Sequence, residues 1–144
     1  MLLKVTVLNV FYSTRILAKD AFDVAKRIVE LNPCKRIAEG DTSLVNEMAA
    51  VSIAGKNWKF YSFASKYCSQ HKPDKFPIYD GVVDKMLWHF RSADNFAKFK
   101  RKELKNYPRF VEVVHAFKEF YELEQYSLRW IDRYLWLKGK EIFG

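Results

Sequence analysis

Asp80 has the most suggestive surroundings of any acid in the chain. It closes the segment FPIYD (76–80) and precedes an apolar helical stripe of Val82, Val83, Met86, Leu87 and Phe90. An Asp at that place can accept hydrogen bonds from the free amides of a helix start. The same carboxylate has a chemical use. A fixed carboxylate stabilises positive charge that builds at a nearby reacting centre and can orient or deprotonate an attacking water. Upstream, Ser62 and Lys66 lie four residues apart on one helical face. Lys66 in such a place can be a phosphate contact, a plain surface charge or a displaced Schiff-base amine, and the first two roles fit the pattern best.

Charge is segregated along the chain. In all, 25 Lys and Arg face 17 Asp and Glu over 144 residues, a formal charge of +8. Lys56, Lys59, Lys66, Lys72 and Lys75 form one basic run opposed only by Asp74. Lys98, Lys100, Arg101, Lys102, Lys105 and Arg109 form a second, opposed only by Glu103. Glu112, Glu119, Glu122 and Glu124 make the next segment acidic. Separated blocks of this kind favour a face that meets a polyanion, nucleic acid among them, over generic solubility, although a solvated helix surface accounts for either run taken alone. Lys56, Lys59, Ser62, Lys66 and Lys72 are the expected contacts of such a polyanion.

Cys34 and Cys68 are the only cysteines, and no apolar run approaches the length of a membrane span. A soluble protein of the reducing cytoplasm is expected, with no membrane partner. Cys68 and His71 are three apart, but no second pair completes a tetrahedral zinc site, and neither metal nor cofactor is expected.

Hydrophobic spacing reads as helical almost throughout, without period-two alternation or a hairpin signal, and the length suits one compact domain over residues 1–144. The expected class is all-α. Helices are expected from about Met1 to Tyr12, Ala18 to Leu31, Asp41 to Ile53, Trp58 to His71, from Asp80 onward, and then Ala93 to Asn106, Pro108 to Glu124 and Ser127 to Lys138. In the second, Ala21, Val24, Ala25 and Ile28 share a face; in the fourth, Tyr61, Ala64, Tyr67 and Cys68 do, leaving Lys59 and Lys66 outside. Gly139 is expected to close the last helix. The first helix reads as buried, with Leu2, Leu3, Val7, Phe11 and Tyr12 in the core. Trp130, Tyr134 and Trp136 read as packing residues, with Trp136 a candidate partner surface.

The stretch FPIYDGVVDKML (76–87) resembles the segment of helix-hairpin-helix DNA glycosylases that carries their catalytic acid, nearest to the adenine-mismatch enzymes. The resemblance implies that Asp80 assists loss of a flipped-out base. Eighteen residues before the acid that family has Lys in bifunctional members and Ser or another residue in several monofunctional ones; here it is Ser62, followed after one residue by Ala64. SFASKYC, LNVFYST and IDRYLWLKGK resemble a family of uncharacterised bacterial helical proteins thought to be distant relatives of oxoguanine glycosylases. The implied activity is monofunctional hydrolysis of an N-glycosidic bond in double-stranded DNA, the implied partner, with a base pocket to which Asn9, Tyr12 and Tyr79 contribute. Trp58 and Phe60 stand where the superfamily hairpin carries Gly-x-Gly, so phosphate contacts pass to the neighbouring lysines. Without catalysis, the same chain reads as a nucleic-acid-binding or protein-interaction module.

Overall fold

The computed structural model describes the backbone of residues 1–12 and 16–144 and the side chains of residues 1–9 and 16–144. The described residues form eight helices and one small sheet. The helices are α1 (Leu2–Tyr12), α2 (Ala21–Leu31), α3 (Cys34–Glu39), α4 (Ser43–Ala49), α5 (Tyr61–His71), α6 (Gly81–Asp94), α7 (Tyr107–Phe120) and α8 (Leu128–Phe143). Strands β1 (Ala50–Ile53) and β2 (Lys56–Lys59) pair antiparallel between α4 and α5. The fold is thus mostly helical, as expected, with a hairpin that was not. One cluster of buried apolar side chains draws on all eight helices and on β1.

Several boundaries depart from expectation for local reasons. The helix expected to reach Ile53 stops at Ala49, because β-branched Val51 and Ile53 alternate with Ala50 and Ser52 and pair with the next strand. Ala54 and Gly55 make the two-residue turn, both at positive φ (50° and 78°), as the favoured hairpin turn requires. Trp58 therefore lies on β2, and α5 begins only at Tyr61. Pro33 and left-handed Gly40 (φ 73°) delimit the short α3, which apolar spacing alone did not reveal.

The helix expected over 93–106 is absent. Instead α6 continues to Asp94 and ends on left-handed Asn95, after which Phe96 and Phe99 turn into the core and residues 101–105 make a short 3-10 turn. Conversely, Gly139 does not end α8 but lies within it, against α6. A Cβ there would sit 2.3 Å from Val82 Cγ1 and 2.9 Å from Met86 Cγ. Missing side-chain bulk, rather than backbone freedom, explains this glycine.

The first helix is also less buried than expected. Val5 faces the core, but Leu2, Leu3 and Val7 are exposed, so α1 is a surface helix packed along α2 and α5. The remaining core expectations for that helix, Phe11 and Tyr12, lie outside the described side chains. No helix among the described residues is long and apolar enough to cross a membrane.

Candidate functional site

Residues 76–80 form a buried non-helical strap between α5 and α6, and side chains from three helices hold its backbone. Tyr107 Oη of α7 donates to Pro77 O at 2.5 Å. Ile78 N donates to Asp132 Oδ2 of α8 at 2.9 Å. Ser65 Oγ of α5 accepts from Tyr79 N at 3.0 Å and lies 3.2 Å from Tyr79 O. Phe76 is fully buried beneath it and stacks near Tyr107. A non-helical segment can be buried only when its peptide groups find partners, and here side chains supply them.

Asp80 ends the strap in extended geometry and caps α6. Its Oδ1 accepts from Val82 N and Val83 N, both at 2.9 Å. Those bonds fix the carboxyl plane. Oδ2 makes no hydrogen bond among the described residues, and Asp80 is only half buried, so one oxygen of a rigidly oriented carboxylate is available at a helix N-terminus.

Lys66 is the largest correction among the expected site residues. It is 7% exposed rather than a surface lysine. The amphipathic reading fails on α5 because that helix is central. Residues 61 and 63–69 are all buried against α1, α4 and the strap, so it has almost no solvent face. Burial pushes the Lys66 pKa down, while attraction to the Asp80 carboxylate works against that shift. An amine that loses its proton more readily than an ordinary lysine thus lies within the field of Asp80.

The other expected residues divide. Ser62 is half buried one turn before Lys66, and its carbonyl accepts from Ser65 Oγ at 2.8 Å. Lys56 and Lys59 stand exposed on β2, and Lys72 is half buried at the end of α5. Tyr79 does not line an open pocket. It is 4% exposed, with its ring packed on Tyr61 and its hydroxyl donating to Asp84 Oδ2 at 2.8 Å. The buried Asp84 also receives Arg101 Nε at 2.8 Å, which makes Tyr79 part of a satisfied core network. Asn9 holds Ile16 in both directions, Nδ2 to O at 2.7 Å and N to Oδ1 at 2.9 Å, and so ties α1 to the segment leading into α2. Tyr12 lies outside the described side chains. No cluster of three His, Cys, Asp or Glu among the described residues could hold a metal ion.

Asp132 and Ser65 are the residues that sequence reasoning passed over. Asp132 is 7% exposed on α8, between Leu128, Ile131, Leu135 and Gly139 of the buried face. Its position in that stripe was the readable signal: an acid at a core position needs a reason. Burial raises its pKa well above the carboxylate range; the Ile78 amide opposes this, the nearby Asp80 charge adds to it, and Arg129 opposes it. Ser65 likewise sits on the buried stripe of α5, on the same side as Tyr61 and Cys68. A polar residue there must bond to something, and it bonds to the strap.

Residues 1–75 match HI_0787_N, an N-terminal domain family. The chain belongs to that family. An uncharacterized protein of Haemophilus influenzae is 48% identical to it over 136 residues, which are 94% of this chain and 64% of that protein. The chain therefore spans less than two thirds of the length of that curated relative. No solved structure matches it. The family segment ends between α5 and the strap, so it includes Ser62 and Lys66 but neither Asp80 nor Asp132. Packing ignores that boundary. Tyr61 Oη donates to Leu104 O at 2.7 Å, Asn46 Oδ1 accepts from Tyr107 N at 3.0 Å, and Ser65 holds Tyr79.

Proposed function

We propose that the protein is a nucleic-acid-processing member of this family, a distant relative of helix-hairpin-helix DNA glycosylases that breaks the N-glycosidic bond of a damaged or mismatched base. The observation that carries this reading is the free oxygen of a rigidly held Asp80 in the field of the buried amine of Lys66. In this reading Asp80 faces the positive charge that develops at C1′ as the base departs. Lys66, once deprotonated, supplies an amine that can attack C1′ in place of water, so burial of the lysine shifts the expectation from a purely monofunctional enzyme toward a Schiff-base one. Exposed Lys56, next to the open turn at Gly55, and Lys59, at the other end of the same strand, serve as phosphate contacts where the superfamily hairpin uses bare glycine amides.

Two assays test this reading. Full-length protein is incubated with duplex oligonucleotides, each carrying one damaged or mismatched base, and base release is measured. Release should occur with at least one duplex and vanish in Asp80→Asn, which keeps the cap oxygen and the fold. Borohydride reduction with an abasic duplex should then trap a covalent adduct in wild type and Ser62→Ala but not in Lys66→Gln. Release without trapping returns the chemistry to water. Binding that falls steeply with salt, with no release from any duplex, supports the binding-module reading instead. That alternative rests on the exposed hairpin lysines and on the cap role that accounts for one Asp80 oxygen.

A further inference from the structure

Asp132 is an expensive residue to keep where it is. Its Oδ2 accepts one amide hydrogen, from Ile78, while its buried Oδ1 has no hydrogen-bond partner among the described residues. No cation forms an ion pair with it among the described residues. An ionised carboxylate in such a place would lack donors for half its lone pairs, whereas a protonated one loses much less. Asparagine could make the same bond to Ile78 but would put two amide donors where Oδ1 is unmet, whereas a protonated carboxyl puts only one there. A proton on Asp132 thus leaves the fewest unmet groups at this place.

Its neighbours suggest where the proton matters. Ile78 is two residues from Asp80, so Asp132 on α8 holds the strap backbone just ahead of Asp80, whose own carboxyl caps α6. Gly139, two turns beyond Asp132 on the same face of α8, permits the close approach of α8 to α6 that seats Asp132 under the strap. The charged and titratable groups that bear on it are Asp80 from α6, Arg129 from its own helix and Tyr107 from α7. Of these, only Arg129 favours its ionised form.

We propose that Asp132 is a positioning residue for Asp80: it clamps the strap through Ile78 and stores the single proton of a two-carboxyl pair, so that Asp80 alone presents negative charge to a substrate. Pairs whose environments separate the two carboxyls in this way divide acid and anion roles between them. When Asp132 ionises, two negative charges meet at the strap, and the Asp80 site loses its setting. The proposal deepens the reading of Asp80 as the charge-stabilising carboxylate.

The test does not need activity. Carbon-13 titration of side-chain carboxyls in the full chain should show Asp132 keeping its proton above the ordinary carboxylate range. It should also show the Asp80 carbon moving when Asp132 ionises. Asp132→Asn should abolish that coupled movement, whereas Lys66→Gln should leave it. Titration of Asp132 in the ordinary carboxylate range overturns the proposal, as does a coupled step that survives Asp132→Asn. Should the variant fail to fold, the wild-type Asp132 titration decides alone. Where base release is found, Asp132→Asn should keep KM and move the alkaline limb of the kcat profile by about one pH unit or more, because Asn holds Ile78 but cannot ionise. A clamp without a proton role would leave that profile in place. Absence of base release would remove the glycosylase reading while the titration still decides the pair.

Discussion

The hairpin at 50–59 and the strap at 76–80 are both short non-helical segments between helices, yet they are held in opposite ways. The hairpin satisfies itself. Its strands bond to each other, its turn uses two adjacent residues at positive φ, and its second strand is exposed at every position, including Trp58 at 48%. The strap has no partner strand, and its peptide groups are met by Ser65, Tyr107 and Asp132 from three different helices. The hairpin is thus a local structure whose first strand seats Val51 in the core and whose second lies on the surface, and the strap is a tertiary structure that exists only when α5, α7 and α8 are assembled. The acid that carries the proposed chemistry ends the strap, where the cap of α6 fixes its carboxylate and the core holds the backbone ahead of it, while the proposed phosphate contacts sit on the exposed second strand of the hairpin.

This contrast can be broken most severely at Phe76. Replacing that fully buried ring by alanine should cost about 3–5 kcal/mol in chemical denaturation, through lost burial and the cavity left under the strap. A cost below about 1 kcal/mol would mean that the strap does not depend on the core. Next comes Gly139→Ala. Alanine is the better helix former by about 1 kcal/mol, but the new methyl would meet Val82 and Met86, and overpacking should win with a net loss of about 1–3 kcal/mol. The same variant should weaken the Asp132 bond to Ile78, visible as faster amide exchange at Ile78.

A smaller effect, graded by pH, is expected at Asp132. Below its ordinary value of 3.8 both the folded and the unfolded chain carry the proton. As pH rises above that value the unfolded chain ionises first, so the folded state loses up to about 1.4 kcal/mol per pH unit until Asp132 itself ionises. Thermal melts of Asp132→Asn across pH 4–8 should therefore fall less steeply than those of wild type. Lys66 acts at the alkaline end with the opposite sign: its folded value lies below the ordinary 10.5, so stability rises with pH there. The smallest effect belongs to the hairpin. Trp58→Ala should change stability by no more than about 0.5 kcal/mol, and any consequence should appear instead in nucleic-acid affinity.

The two regions also differ in how far they could be read in advance. The stripe of Ala21, Val24, Ala25 and Ile28 was legible because α2 has one wet face and one dry face, and all four are buried as the period predicts. The cap at Asp80 was legible because capping needs only a side chain and the next three amides. Lys66 was misread for the opposite reason, since α5 is enclosed on nearly all sides and periodicity cannot tell a central helix from a surface one. Tyr79 was misread as a pocket residue because its partner, Asp84, lies on the following helix and is itself neutralised by Arg101 from a distant turn.

By itself, the amino-acid sequence determined the helical class, the segregated charge, the acid at the head of α6 and the serine and lysine upstream of it. These are matters of local propensity, spacing and composition, which neighbouring residues decide among themselves. Only the tertiary structure decided that Lys66 is buried in the field of Asp80, that Gly139 is a contact rather than an ending, and that Asp132 sits under the strap with one oxygen unmet among the described residues. Each of these depends on which surfaces close against each other, and the energy of a charge or a missing methyl is set by what surrounds it.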